Sequence, residues 1–283
     1  MSQLLLGLIN GSFYAMLSLG LAIIFGLLNV INFAHGALYM MGAFVAWMLL
    51  QYCKVGYWPS LIIAPAAVGL FGVALERALL KRLYKVDPLY NLLCTFGLAL
   101  IIQGLFQMQY GSSGMPYQIP DALQGSYDVG FMVLPKYRAW VIGVSLVACF
   151  ATWYVTERTR LGSYLRAGTE NPTLVQAFGV NVPRMITLTY GLGVGLAALA
   201  GVLAAPMTNV NPTMGEDLII VVFAVVVIGG MGSIMGSIVT GFALGVIEGL
   251  TKVFYPEASK TVIFVLMALV LLVKPQGLFG RTQ

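Results

Sequence analysis

Charge is scarce in this chain: Asp, Glu, Lys and Arg make up 9% of its 283 residues, whereas 59% are hydrophobic. A soluble domain carries roughly 25% charged residues, and its interior is too small to bury so much apolar surface. A lipid bilayer accepts apolar surface on every side, and several runs reach the ~20 residues that a spanning helix needs. The composition therefore predicts an integral membrane protein and excludes a soluble globular domain.

Cysteine and histidine are also rare, with three cysteines and one histidine. Cys53, Cys94 and Cys149 lie far apart and have no histidine beside them, which excludes a disulfide framework and a zinc site. His35 has no carboxylate or cysteine near it in the sequence, so it gives little support to a proton relay or an intramembrane enzyme. We therefore expect no catalytic residue, no metal site and no cofactor on this chain.

Basic residues are absent from the first fifty positions, so no basic region of a cleavable signal peptide precedes the first apolar run, which we expect to be retained. Ten of the 15 Lys and Arg lie in residues 76–88, 157–184 and 274–283. The net charge of +5 is thus better explained by membrane orientation than by nucleic-acid binding. We expect these three segments, including the C-terminus, to be cytoplasmic, and the neutral or acidic segments 111–136 and 207–217 to lie outside.

The apolar runs predict an all-α, polytopic helical bundle that forms one transmembrane domain over residues 1–283. Nine true spans would place the N-terminus outside, whereas one re-entrant run would leave eight spans and place it inside. Glycine at positions such as 241, 245 and 249 repeats every four residues, which lets helix backbones approach closely in lipid. The nine runs cover residues 4–28, 36–52, 58–80, 90–110, 137–156, 186–206, 218–228, 236–250 and 261–273.

Two Gly-rich interruptions, within residues 30–46 and 227–243, predict broken helices in both halves of the chain. Irregular backbone at membrane depth is tolerated where it is buried in protein or faces a water-filled cavity, so paired breaks indicate a transport pathway. Polar side chains at a break either cap the freed backbone groups or contact a transported solute. The candidate residues at the two breaks are Asn29, Asn32, His35, Gly36, Gly229, Gly230 and Gly232.

Further pathway candidates lie within the apolar runs. Glu248 is an acid inside a predicted span, which is a functional hypothesis by default, although an ion pair with Lys252 one turn away explains it equally well. Gln103 and Gln107 share one helix face, as do Asn10 and Tyr14. These faces either line a translocation route or hydrogen-bond to neighbouring helices.

The longest polar segment, about residues 157–185, has internal structure. Asn171 followed by Pro172 predicts the start of a short helix, and Gly179 predicts its end. Such a helix either docks in a cleft on a soluble partner or lies on lipid headgroups. The residues expected to make the contact are Arg166, Asn171, Pro172, Leu174, Val175, Phe178 and Gly179.

Four features of the sequence, spread over nearly the whole chain, carry a resemblance to a known family. They are this loop, the stretch NGSFYAMLSLGLAIIFGLLNVINFAHGALYMMGAF, the stretch VIGGMGSIMGSIVTGFALGVIE and the closing LLVKPQGLFGR. In these features the chain closely resembles the permease subunits of bacterial ATP-binding-cassette importers for branched-chain amino acids. The resemblance implies a plasma (inner) membrane location and a second permease subunit, identical or homologous. It also implies two cytoplasmic ATPases and an external solute-binding protein.

On that resemblance, residues 157–184 form the loop that couples the permease to an ATPase. Independently, the chain contains no Gly-Lys dipeptide and so lacks a G-x-x-x-x-G-K-[ST] phosphate loop, which places ATP binding on partner subunits. Similar permeases carry urea, short amides or other small organic solutes, and these remain alternative cargoes. A self-contained secondary transporter is the alternative from another class, but it would be expected to bury charged coupling sites, which the sequence hardly provides.

Overall fold

The computed structural model describes residues 2–28, 32–84, 86–128 and 133–280. In this part of the chain, 12 α-helices dominate, and a short antiparallel hairpin joins β1 (Ser126–Asp128) to β2 (Val133–Pro135). A π-helical turn, Glu76–Leu80, continues α3 into α4. The helices are α1 (Ser2–Leu28), α2 (Ala34–Cys53), α3 (Tyr57–Leu75), α4 (Lys81–Leu83), α5 (Pro88–Tyr110), α6 (Lys136–Arg158), α7 (Arg160–Glu170), α8 (Pro172–Ala177), α9 (Val182–Thr208), α10 (Glu216–Gly229), α11 (Ile234–Phe254) and α12 (Thr261–Val273).

The prediction of an all-α polytopic membrane protein is confirmed. Among the described residues, 7 helices are long and apolar enough to cross a membrane: α1, α2, α3 with its continuation through α4, α5, α6, α9 and α11. The runs 218–228 and 261–273 are helical, but α10 has 14 residues and α12 has 13. Both are shorter than the ~20 residues that span a bilayer without distortion.

Several helices begin where local chemistry predicts. The side chains of Asp87, Asn171 and Asn181 each accept a hydrogen bond from a backbone amide two or three residues further on, at 2.8, 3.0 and 3.1 Å respectively. Each is followed within two residues by a proline, whose missing N–H is tolerated in the first helical turn. Ser233 caps α11 in the same way, through the amide of Gly236 at 3.1 Å. These ends are local and therefore readable from the sequence.

The first helix, α1, lies at the centre of the bundle and packs along α11. A Cβ placed on Gly245 would lie 2.3 Å from the Cα of Gly11, and one placed on Gly241 would lie 2.6 Å from the Cα of Ala15. Only residues without a Cβ allow this separation between backbones, as the glycine spacing predicted. The same principle holds for Gly191, whose α9 backbone contacts α3 at Gly69.

The segment after α12 closes the end of α10. The amides of Leu278 and Phe279 donate hydrogen bonds to the carbonyls of Ile228 and Gly229, at 2.7 and 3.1 Å. These carbonyls have no acceptor role within α10 because they belong to its last turn. Gly277 makes the approach possible with a φ of +79° and a backbone that touches Gly230. The PQGLFG sequence is therefore a C-terminal cap for a broken helix.

Replacing Gly277 by alanine is expected to lower the free energy of unfolding by about 1–3 kcal/mol, because a left-handed non-glycine residue is strained. The new Cβ would also lie 2.6 Å from the Cα of Gly230. Thermal unfolding of the purified protein, followed by tryptophan fluorescence, measures the change. Gly111→Ala is the matched control, because Gly111 has a φ of +77° and nothing within 4 Å of its Cβ position. An equal loss in the two variants would contradict the packing argument.

Candidate functional site

Glu248 lies inside the bundle with only 1% of its surface exposed, and its carboxylate accepts hydrogen bonds from three side chains. The Tyr14 hydroxyl donates to Oε2 at 2.7 Å, and the Asn10 amide lies 3.4 Å from both oxygens. The Lys252 ammonium donates to Oε1 at 2.5 Å and supplies the compensating charge. The predicted pairing of Glu248 with Lys252 is confirmed.

These four residues come together because α1 and α11 pack backbone to backbone. Gly7 of α1 contacts Gly245 and Gly249 of α11, which lie three residues before Glu248 and directly after it. The sequence placed Asn10 and Tyr14 on one face of α1 but did not predict that this face meets Glu248. The Glu248 carboxylate therefore accepts hydrogen bonds from all three of the other side chains. The cluster therefore acts as a polar clamp between two helices in this conformation.

At the first predicted break, the structure describes the residues from Asn32 onward. Asn29 lies in residues 29–31, outside the described part of the chain. The Asn32 side chain accepts a hydrogen bond from the amide of Ala34 at 3.0 Å and donates one to the hydroxyl of Tyr190 at 2.8 Å. The buried imidazole of His35 places Nε2 3.1 Å from the carbonyl oxygen of Leu17 in α1. In this conformation both polar side chains, which lie at the start of α2, bind other groups of the protein.

The glycines of both breaks lie in tight helix contacts. A Cβ on Gly36 would lie 2.6 Å from the carbonyl oxygen of Gly215, just before α10. At the second break, Gly229 packs on Gly236, and Gly230 and Gly232 have φ values of +102° and +83°. Each of these glycines fills a position that a side chain would obstruct or strain.

Gln103 and Gln107, which were predicted to belong to the pathway, do not lie near the other pathway candidates. Both lie on α5, a helix with most of its surface outward, where Gln103 is half-buried and Gln107 exposed. Neither side chain has a hydrogen-bond partner within the described residues. Uncompensated amides on an outward surface are unfavourable in lipid. This face of α5 therefore suits contact with water or another protein better than contact with acyl chains.

A second buried carboxylate was missed by sequence reasoning, which assigned Glu76 to a cytoplasmic loop. Glu76 is 1% exposed at the π-helical turn after α3. It accepts hydrogen bonds from Tyr84 at 2.7 Å and from Thr187 of α9 at 2.8 Å. Burial and the neighbouring carboxylate raise the pKa of Tyr84 well above its usual value. A glutamate one turn before a basic loop gives no sequence signal of this burial.

Replacing Tyr190 by phenylalanine is expected to lower the free energy of unfolding by about 0.6–2 kcal/mol, the range for a hydrogen bond between membrane helices. The variant leaves Asn32 Nδ2 without its partner at the beginning of α2. Thermal unfolding in detergent measures the loss. Tyr154→Phe is the control because Tyr154 is 53% exposed. An unchanged transition for Tyr190→Phe would show that Asn32 finds another acceptor.

The predicted short helix in the polar loop is confirmed as α8, Pro172–Ala177, and Gly179 follows it with a φ of +83°. Val175 is buried, whereas Leu174 is 54% and Phe178 79% exposed. A second helix in the loop, α7, was not predicted; it carries Arg166, which pairs with Glu157 at 3.3 Å. The loop therefore presents two apolar side chains from a helix that is anchored on its other side.

The described residues contain no group of three or more His, Cys, Asp or Glu side chains that could hold a metal ion. The buried carboxyl groups of Glu76 and Glu248 bind hydroxyl, amide and ammonium groups of the protein itself. The candidate residues therefore form contacts between helices, line the predicted breaks, or lie on the exposed loop that carries α8.

Comparison with known proteins agrees with this architecture. The family described as "Branched-chain amino acid transport system / permease component" matches residues 3–271. The chain is 30% identical to the high-affinity branched-chain amino acid transport permease LivH of Salmonella typhimurium, over 100% of this chain and 96% of the relative. It is 31% identical to BraD of Pseudomonas aeruginosa over the same shares, and 29% identical to LivM of Escherichia coli over 95% of this chain and 68% of LivM.

No solved structure shows significant similarity to the chain. The family match covers nearly all of the sequence, including both predicted breaks and the loop that carries α8. The chain is therefore a membrane transport subunit and not an enzyme, and it belongs to the family of permease components of branched-chain amino acid transport systems.

Proposed function

We propose that this chain is one of two permease subunits of an ATP-binding-cassette importer in a bacterial plasma membrane. It forms part of the route by which branched-chain amino acids enter the cell after delivery by an external binding protein. Two cytoplasmic ATPases drive the cycle and bind the ATP, and this chain holds no cofactor of its own. Support comes from relatives that are named as branched-chain amino acid permeases, including both LivH and LivM of Escherichia coli.

The observation that carries this proposal is the shape of α8. Its Asn171 cap and the buried Val175 hold the helix in place, while Leu174 and Phe178 project outward. Apolar side chains that project from a fixed short helix suit a cleft on a folded partner, where they become desolvated. We assign this surface, Leu174 of α8 and Phe178 directly after it, as the contact with an ATPase.

The orientation of the protein in the membrane is proposed from the distribution of its basic residues. Residues 76–88, 157–184 and 274–283 carry most of the Lys and Arg and are proposed to be cytoplasmic, with the C-terminus. Counting the short helices α10 and α12 as crossings gives nine spans within a single domain, and eight if one of them is re-entrant. The short lengths of α10 and α12 require local thinning of the bilayer or cover by a partner subunit.

The test is purification of the tagged chain from its native membrane in mild detergent, with mass spectrometry of the proteins that remain bound. The parent chain is expected to retain an ATP-binding-cassette ATPase. The double variant Pro172→Gly with Phe178→Ala is expected to lose most of it, because the change loosens the helix and removes its most exposed aromatic ring.

The matched control is Pro256→Gly with Tyr255→Ala, which changes a proline and an exposed aromatic residue in a turn after α11. This control is expected to retain the ATPase fully. Recovery of the intact parent chain without any nucleotide-binding partner would contradict the proposal. It would favour the secondary transporter, for which the buried Glu76, without a cationic partner among the described residues, would then be the candidate coupling site.

Uptake by proteoliposomes containing the complete importer distinguishes the cargoes. Leucine, isoleucine and valine are expected to be transported with the external binding protein present. Transport of urea or short amides instead would overturn the cargo while leaving the importer mechanism in place.

A further inference from the structure

Helix α5 is the least buried of the seven spanning helices of the described chain, with 17% of its membrane stretch buried, against 22% for α6. One side of α5 packs on α2, for example through Phe106 and Phe44, whose ring centroids are 4.7 Å apart. The opposite, outward side includes Gly97, Leu100, Gln103, Gly104 and Gln107. The pieces of chain outside the described part are at most four residues long, too short to cover a 23-residue helix. The outward side of α5 is therefore covered by lipid, by water or by another protein.

Two amide side chains make lipid an unfavourable cover for the outward side of α5. Gln103 lies seven residues before the end of the helix at Tyr110. Because a helix rises about 1.5 Å per residue, Gln103 is about 10 Å from that end and within the ~30 Å hydrocarbon core. It has no hydrogen-bond partner among the described residues, and neither does Gln107 one turn further on. A free amide is unfavourable in hydrocarbon, whereas a hydrogen bond to another helix satisfies it.

The outward side of α6 provides the comparison, because this helix is exposed to a similar degree and is apolar in its middle turns. Leu146, Val147 and Phe150 are 50%, 69% and 64% exposed. Such a surface suits acyl chains and needs no protein partner. The amides therefore distinguish the outward side of α5 from that of α6.

Two glycines give the outward side of α5 a shape that allows close helix contact. Gly97 and Gly104 are seven residues apart, about two turns, and so lie on the same side of the helix. A Cβ at either position would have no atom within 4 Å, unlike those at the glycines of α11, which already contact α1. Leu100 projects between them and is 50% exposed. Small residues let helix backbones approach in lipid, so this side of α5 is shaped for a second helix.

The outward side of α5 is also self-complementary. The helix carries no charged residue, and each glutamine amide both donates and accepts hydrogen bonds. Two like subunits related by a two-fold axis present the same surface to each other, so each group must pair with its own kind. Matching charges repel at such a contact, whereas amides and small apolar residues do not.

We propose that the second permease subunit packs on the outward side of α5 through its own corresponding helix. The inference rests on the proposed function, in which the importer contains two permease subunits. The partner is either a second copy of this chain or a homologous permease, and both offer the same chemistry. The contact satisfies the amides of Gln103 and Gln107 and fills the space above Gly97 and Gly104.

The test replaces Leu100 by the photoreactive residue p-benzoyl-L-phenylalanine, irradiates native membranes and identifies the adducts by mass spectrometry. An adduct between two permease chains is expected. A mass of twice this chain identifies a second copy, and peptides of a different permease identify a homologue. Leu146 is the matched control, because it is also 50% exposed and lies ten residues into α6, as Leu100 lies ten residues from the end of α5. Its replacement is expected to give adducts with lipid and none with a permease.

A second variant, Gly104→Leu, fills the space proposed to lie between the two subunits. It is expected to lower the amount of second permease retained by the tagged chain in detergent by about fivefold or more, because small residues set how closely the helices approach. Gly143→Leu is the control, because Gly143 on α6 also has nothing within 4 Å of its Cβ position. This control is expected to retain the second permease as the parent does. Both variants are expected to keep the parent's yield of extracted chain.

Equal permease adducts at positions 100 and 146, or adducts of position 100 with lipid alone, would overturn the proposal. Full retention of the second permease by Gly104→Leu would also overturn it. Recovery of the ATPase, which is assigned to α8, keeps this test separate from that of the proposed function. An ATPase recovered without a permease adduct at position 100 overturns only the α5 contact. A permease adduct without any ATPase overturns only the ATP-driven importer.

Discussion

Replacing Gly245 by leucine is expected to abolish the folded permease, because it separates the two helices at the centre of the bundle. A Cβ at this position would lie 2.3 Å from both the Cα and the amide nitrogen of Gly11, and 2.5 Å from the carbonyl oxygen of Gly7. All three are backbone atoms, so no side-chain rotation relieves the overlap. The helices must move apart, and the contacts along both of them are lost together.

The measurement is the yield of monodisperse protein after detergent extraction and size-exclusion chromatography. We expect recovery of Gly245→Leu to fall to background. Gly143→Leu is the control, because Gly143 lies on α6 with nothing within 4 Å of its Cβ position. A normal yield of Gly245→Leu would mean that α1 and α11 do not pack as closely as described.

Replacing Glu248 by leucine is expected to lower the free energy of unfolding by about 2–4 kcal/mol, because buried donors lose their common acceptor. The Tyr14 hydroxyl, 2.7 Å from the carboxylate, loses its bond inside the bundle. Lys252 is 32% exposed at its side chain and reaches water more readily, which limits the loss. Thermal unfolding of the purified variants measures the change.

A double-mutant cycle tests whether Glu248 stabilises the protein through its ion pair with Lys252 or as a hydrogen-bond acceptor for Tyr14. Lys252→Met leaves the Glu248 carboxylate buried without its cation and is expected to cost at least as much as Glu248→Leu. The two changes together are expected to cost less than their sum. Glu248→Gln keeps an acceptor for Tyr14 and is expected to be milder than Glu248→Leu. Additive losses in the cycle would show that Lys252 and Glu248 do not interact energetically.

Sequence reasoning was most successful where the controlling interactions are local. The start of α8 at Asn171 and Pro172 and its end before Gly179 follow from capping chemistry within a few residues. The pair Glu248 and Lys252 was predictable because residues four apart on a helix are neighbours. Sequence reasoning missed α7, although Leu161, Tyr164 and Leu165 have the i, i+3, i+4 spacing of an amphipathic helix.

Sites formed by distant segments were predicted only in part. Asn10 and Tyr14 were recognised as unusual on one face of α1, but their partner lies more than 230 positions away. Gln103 and Gln107 were grouped with the pathway on the same pattern, yet they lie apart from the other candidates on α5. An apolar helix with one polar face shows which side avoids lipid, not which helix covers it.

The sequence by itself determined that this protein resides in a membrane, where α8 begins and ends, and which helix faces allow close packing, because these depend on solvent preference, capping and glycine spacing. Only the tertiary structure decided that α1 is central, that Glu76 is buried, and that the C-terminal segment caps α10. In lipid, hydrophobicity does not distinguish one apolar neighbour from another. Partner choice follows from backbone shape and from hydrogen bonds between residues far apart in the chain.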